Sequence, residues 1–206
     1  MRIPTLQKAQ DYLSEGEKLN PGPWVAHSIY VGKAAKAIAN HHPDLQSETA
    51  FVLGCLHDIG RREGNTNMRH SIDGFHFLAD AGYHDAARIC LTHSFPVQNI
   101  NAIFGEWDCT PDELQFAETY LSRIHYTDYD RLVQLCDGLA LPSGFCLIEK
   151  RMVDVALRHG TNEHTVSKWQ ALLGIKEHFE NAIGQSLYAL LPGVVENTFG
   201  FSDSQQ

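Results

Sequence analysis

His27, the adjacent pair His57 and Asp58, and Asp137 are the residues through which this chain could do chemistry. Each stands in an apolar stretch: VAHSIY, VLGCLHDIG and VQLCDGLAL. An imidazole or carboxylate placed there costs several kcal/mol unless it meets a hydrogen bond, an opposite charge or a metal ion. Imidazole nitrogen and carboxylate oxygen are ligands for Zn, Fe, Mn and Ni, and three or four of them converging inside a helical bundle make a metal site. Taken singly, His27 reads more readily as a satisfied core histidine, and His57-Asp58 as a hydrogen-bonded helix end. Asp137 is harder to place, because Asp is almost never fully buried without a partner. Together the four point to one ion. Neighbouring helical residues point about 100° apart, so His57 and Asp58 can share that ion only where the helix ends.

The elements that must position them read as helices. Residues 24–40 carry apolar and small side chains at helical spacing, between Pro21, Pro23 and Pro43. A second helix is expected over 47–58, with Ser47 as N-cap and Gly60 as its closing signal. RREGNTNMR, residues 61–69, reads as a loop. Helices follow over 69–81, ended by Gly82, and over 84–92, ended before Pro96. Residues 97–110 point to no element. Pro111 with Asp112 and Glu113 opens a helix. Three more are expected over 128–141, stopped by Pro142, then 145–158 and 163–182. No stretch alternates long enough to require a strand. The expectation is an all-α fold, one domain over residues 1–206, with a motif core at 24–142 and the helices of 143–190 packed on it. The final SDSQQ is expected to fray.

The formal charge of −9 argues against binding a nucleic-acid polymer, which needs clustered cations, but leaves room for a small anionic substrate. No window has 18 consecutive apolar residues, so no membrane span is expected, and the N-terminus lacks the apolar core of a signal peptide. Five cysteines, odd in number and without a CxxC pair, suggest reduced thiols in a cytoplasmic protein, most of them small core residues.

His27 in AHS, then HDIG at 57–60, then Asp137 in LCDGLA resembles the HD-domain superfamily of metal-dependent phosphohydrolases, in its compact HDIG-type bacterial form. The resemblance covers roughly residues 24–142. It implies a helical bundle in which His27, His57, Asp58 and Asp137 bind a divalent metal. His70 and His93 match the ligands of a second ion in members that hold two, with Asp58 bridging. The cofactor is then one or two divalent ions among Mn, Fe, Ni, Co, Zn and Mg. Asp58 would orient the attacking water, and His70 and His93 would act with it. Arg61, Arg62 and Arg69 are candidates to line the site mouth and grip a phosphate, although many relatives carry lysine at the position of Arg61. Lys33 is a weaker candidate. The acceptors for the far nitrogens of the ligating histidines are not evident; Asp73 and Glu63 are near in sequence only.

The implied activity is hydrolysis of a phosphomonoester or phosphoanhydride bond in a small, nucleotide-like substrate. The spacing resembles compact members such as diadenosine tetraphosphate hydrolases, and the GYP signature of cyclic-dinucleotide phosphodiesterases is missing. Two alternatives stay open: a di-iron oxygenase using the same ligands, and a non-catalytic metal- or nucleotide-binding module. The segment after Pro142 is expected either to cover the site or to form the surface of a homodimer. His76, His84, His125, His159, His164 and His178 match no motif position, and His41-His42 reads as an exposed helix end.

Overall fold

The computed structural model describes residues 1–201. Its elements are α1 (Leu6–Leu19), α2 (Trp24–Ala39), α3 (Ser47–Leu56), a 3₁₀ turn (Ile59–Glu63), α4 (Arg69–Asp80), α5 (His84–Thr92), α6 (Pro111–Arg123) and α7 (Asp128–Leu139). A two-residue hairpin follows, β1 (Ala140–Leu141) paired antiparallel with β2 (Gly144–Phe145). Then come α8 (Ile148–His159), α9 (Thr165–Ile183), a second 3₁₀ turn (Leu187–Leu190) and α10 (Val194–Phe199). The fold is all-α. The helix expected to reach residue 141 stops at Leu139, because the chain turns at Pro142, which has no N–H to continue a helix.

α1 carries a pattern that is easily overlooked. Its stripe of Ala9, Tyr12, Leu13 and Gly16 has helical spacing but sits in a polar segment, and Thr5 caps it by accepting from Lys8 N. α2 is buried on nearly every side and packs against α3 and α7. The α2–α3 crossing is a backbone contact: a Cβ on Gly54 would stand 2.8 Å from Gly32 Cα. That approach sets the His27 and His57 rings edge to face, 5.3 Å apart.

Ser47 is the first helical residue of α3, not its cap; Gln46 takes that position and makes no side-chain cap bond. Nor does Gly60 end the helix. α3 ends at Leu56, and Gly60 lies in the following 3₁₀ turn, which presses on the start of α4. A Cβ there would stand 2.0 Å from His70 O and 2.4 Å from Gly74 N, both backbone atoms that cannot swing aside. Gly60→Ala is therefore expected to cost about 3 kcal/mol, the upper end for overpacking, read as a lowered denaturation midpoint.

Further connections fix the other site elements. Asp108, from the irregular 100–110 segment, accepts from Asn67 N at 2.6 Å and Arg69 N at 2.8 Å, anchoring the first turn of α4. Thr110 with Glu113 and Thr127 with Asp130 form capping boxes that start α6 and α7. Asp130, fully buried, also accepts from Arg88 (Nε 2.9 Å, Nη2 2.6 Å) and from Thr92 Oγ1 (2.8 Å), clamping α5 to α7. Cys55, Cys90, Cys136 and Cys146 are buried core thiols, and Cys109 is half-buried. No helix among the described residues is long and apolar enough to cross a membrane. The residues expected to fray, 202–206, lie outside the described chain.

Candidate metal centre

α3 leaves helical geometry at the HD pair. His57 is still helical (φ −56°, ψ −35°), while Asp58 (φ −105°, ψ 15°) starts the 3₁₀ turn. Both side chains thus reach one space: His57 Nε2 stands 3.8 Å from Asp58 Oδ2 and 3.9 Å from Asp137 Oδ1. Asp137, near the end of α7, takes a hydrogen bond from His27 Nε2 at 3.0 Å. His70 enters from the start of α4 and His93 from the end of α5, with their Nε2 atoms 3.1 and 3.5 Å from Asp58 Oδ1. The six residues expected from the sequence are brought together.

Each of three histidines spends its Nδ1–H on the carbonyl three residues earlier: His57 on Gly54 O (2.7 Å), His93 on Cys90 O (2.8 Å) and His70 on Asn67 O. These are the orienting acceptors that the sequence left unidentified; they are backbone carbonyls, not Asp73 or Glu63. A neutral imidazole with a protonated Nδ1 carries its lone pair on Nε2. All three Nε2 atoms face the cluster, those of His70 and His93 only 3.4 Å apart. His57 Nε2 is sealed from solvent and has no hydrogen-bond partner. Lone pairs and two carboxylates facing one space, with an orphaned buried nitrogen among them, suit a divalent cation. His27, His57, Asp58 and Asp137 can supply one position, and Asp58, His70 and His93 another; His27, His57 and Asp58, and Asp58, His70 and His93, form close donor sets, and a third set, His57, His93 and Asp137, spans the two.

The electrostatics agree. Burial pushes the Asp58 carboxyl up, but Arg61 above all, with the His70 hydrogen bond, outweighs it and holds the group well below the usual carboxylate range. Arg61 is the largest of these attractions, its Nε donating to Asp58 Oδ2 at 2.6 Å. Asp137 is likewise held low against burial, first by the His27 hydrogen bond. Burial and the neighbouring His57 push His93 down to about 3, and burial also lowers His57. The metal-free protein keeps these two imidazoles neutral. Between pH 6.5, the ordinary histidine value, and about 3, the unfolded chain binds protons that the fold refuses. Metal-free protein is therefore expected to lose stability steadily as pH falls below 6.5. Urea midpoints at pH 7.5 and 5.0 test this, with His93→Gln expected to flatten the difference; an equal drop in the variant would contradict it.

The arginines part company. Arg61 lines the cleft above the cluster, its side chain about one-third exposed. Arg62 points the other way, pairing with Glu15 at 3.1 Å and lying 4.1 Å over the Phe77 ring. Arg69 is engaged by Glu113 (3.0 Å) and Asp73 (3.4 Å) and does not line the cleft. Lys33 lies over Tyr30, in a different hollow. Asp137 is not sealed in the core: its side chain is 31% exposed, onto the cleft.

The cleft, about 660 Å³, has walls the sequence did not single out. One is the turn from Asn20 to Trp24, tied down by Asn20 Nδ2 donating to Arg61 O (2.7 Å) and Trp24 Nε1 donating to Asn20 O (2.8 Å). Facing it are α8 and α9, so the segment after Pro142 does cover the site. The available signal was the spacing of Arg151, Met152, Val155, Arg158 and His159 on one face of α8. His159, assigned no role from the sequence, is on this wall. His42 is buried against Phe179 rather than exposed; only His41 is exposed.

No curated protein and no solved structure matches the chain. The family model for the HD domain matches residues 24–141, a span that contains all six clustered His and Asp residues and stops before α8. The chain belongs to the HD domain family.

Proposed function

We propose that this protein is a metal-dependent phosphohydrolase that cleaves a phosphomonoester or phosphoanhydride bond of a small, nucleotide-like molecule. The observation that carries this reading is the convergence of six cation-seeking side chains beneath a cleft of about 660 Å³, with the Arg61 guanidinium beside them. That volume is within the usual range for small-molecule sites. His27, His57, Asp58 and Asp137 would hold one divalent ion, and Asp58, His70 and His93 a second. A divalent metal bound there supplies Lewis acidity and a water acidic enough to be hydroxide near neutral pH.

This chain's own residues do the rest. Asp58 remains ionised, so its carboxylate can orient the attacking water through a hydrogen bond. Arg61 fixes that carboxylate through Nε and retains further N–H donors for a phosphoryl oxygen. The i−3 carbonyl contacts lock His57, His70 and His93 against rotation, so the site is organised before substrate arrives.

The experiment is phosphate release from a nucleotide panel with Mn, Fe, Co, Ni, Zn or Mg supplied singly. Release with at least one pairing is expected. One observation favours a second reading: Asp58, His70 and His93 form the two-histidine, one-carboxylate set that also serves non-haem iron in oxygenases. Oxygen consumption by the iron-loaded protein, with no phosphate release under any metal, would replace the first reading by the second.

A further inference from the structure

Arg151 and Arg158 on α8 and Lys168 on α9 line the cleft, and among the described residues no carboxylate lies within ion-pair distance of any of them. Arg151 and Arg158 act on each other, which is unfavourable unless an anion offsets it, because like charges on neighbouring side chains repel. Burial and then Arg151 lower Arg158, and burial, Arg158 and Arg151 lower His159. Asp154, the nearest acid, pairs instead with Lys150 at 3.8 Å and offers Arg158 only its backbone carbonyl. Lys168 is half-buried, its Nζ 4.8 Å above the Phe104 ring. Shelter in the cleft brings it down to about 8 despite the distant pull of Asp137. Trp169 lines the same wall, and its indole N–H is sealed from solvent with no acceptor. Cations that line a cleft without a carboxylate partner suit an anionic ligand there.

Met152 and Leu172 share this wall, so its cations are interleaved with apolar and aromatic surface. The wall lies beyond the span matched by the family. It is therefore a feature of this chain's C-terminal helices rather than of the HD core.

We propose that Arg151, Arg158 and Lys168 form a second anion subsite, which holds a phosphate group of the substrate other than the one being cleaved. The substrates are then bisphosphates or polyphosphates carrying a flat or apolar body that lies against Trp169. This rests on the hydrolase reading above for its choice of cleaved group, though binding at the subsite can be tested without it.

The test has a binding arm and a kinetic arm, both on the full chain. In the first, chelator-treated protein at low ionic strength is titrated calorimetrically with adenosine 5′-monophosphate and with adenosine 3′,5′-bisphosphate. The bisphosphate is expected to bind at least tenfold tighter. Lys168→Met and Arg158→Gln should bring the two affinities to within about threefold of each other. Arg158 is exposed, so its replacement does not endanger the fold. Equal affinities in the wild type, or a preference undiminished in both variants, would overturn the subsite. In the second arm, the metal-loaded enzyme should show a KM for the bisphosphate that rises about tenfold in Arg158→Gln. Failure to release phosphate from any substrate would overturn the hydrolase reading while the metal-free titration still decides the subsite. Turnover with equal affinities would overturn the subsite alone.

Discussion

Asp58→Ala is expected to abolish turnover, with a loss of at least about 10³-fold, while leaving a folded chain. Changes to groups that merely orient a metal ligand already cost about 10–100-fold, and Asp58 lies in close donor sets with His27 and His57 and with His70 and His93. Its removal takes away a shared ligand, the group that orients water and the partner of Arg61 at once. Arg61 is partly exposed and can turn into the cleft, so the substitution leaves no sealed charge behind. The accompanying readout is thermal. Adding Mn at 100 times its dissociation constant should stabilise the wild type by about 2.7 kcal/mol. For a chain of this size that is roughly 5–10 °C in Tm. The variant should show almost none of this shift. A variant that kept the full metal-induced shift would show that Asp58 is not a ligand, and retained turnover would remove it from the mechanism.

Asp130→Ala should give the opposite profile, a large loss of stability from a residue outside the ligand set. Asp130 is fully buried and accepts five hydrogen bonds, from Arg88 Nε and Nη2, Thr92 Oγ1, and Thr127 N and Oγ1. Truncation strands the Arg88 guanidinium and releases the α7 cap. Breaking a buried pair from one side costs about 3–5 kcal/mol, equivalent to roughly 6–20 °C in Tm for this length. Metal-free protein is the proper sample, because bound metal would mask part of the loss. His93 follows Thr92 directly, so metal affinity should also weaken. A drop under 1 kcal/mol would mean that α5 and α7 are held together by apolar packing alone.

The positions of the ligands along the chain, and the helices that carry them, could be read from the sequence because the signals are local. Apolar spacing marked α2; Gly82 and Pro96 marked the ends of α4 and α5; proline and acidic residues marked the start of α6. The break after Leu56 let a histidine and an adjacent aspartate share one space. The family pattern then joined residues 27, 57, 58, 70, 93 and 137 before any geometry was known. Gly60 was seen locally too, but for the wrong reason: its need is set by the backbone of α4, which is distant in the path of the chain.

What only the tertiary structure decided depends on contacts between distant segments. Arg61 and Arg62 are neighbours with equal chemistry, yet successive side chains on a 3₁₀ turn diverge by about 120°. Packing of α1 and α4 gave Arg62 to Glu15 and Phe77 and left Arg61 to the site. Arg69 looked equally available until α6 brought Glu113 beside it. Asp137 reads as buried within VQLCDGLAL, but it faces a cleft whose far wall is made by α8 and α9, and no property of its own neighbours encodes that. Local propensity determines which residues can form a site. Long-range packing decides which of them face it, because a side chain's direction is fixed by the helix it packs on and its partner is fixed by the helices across the gap.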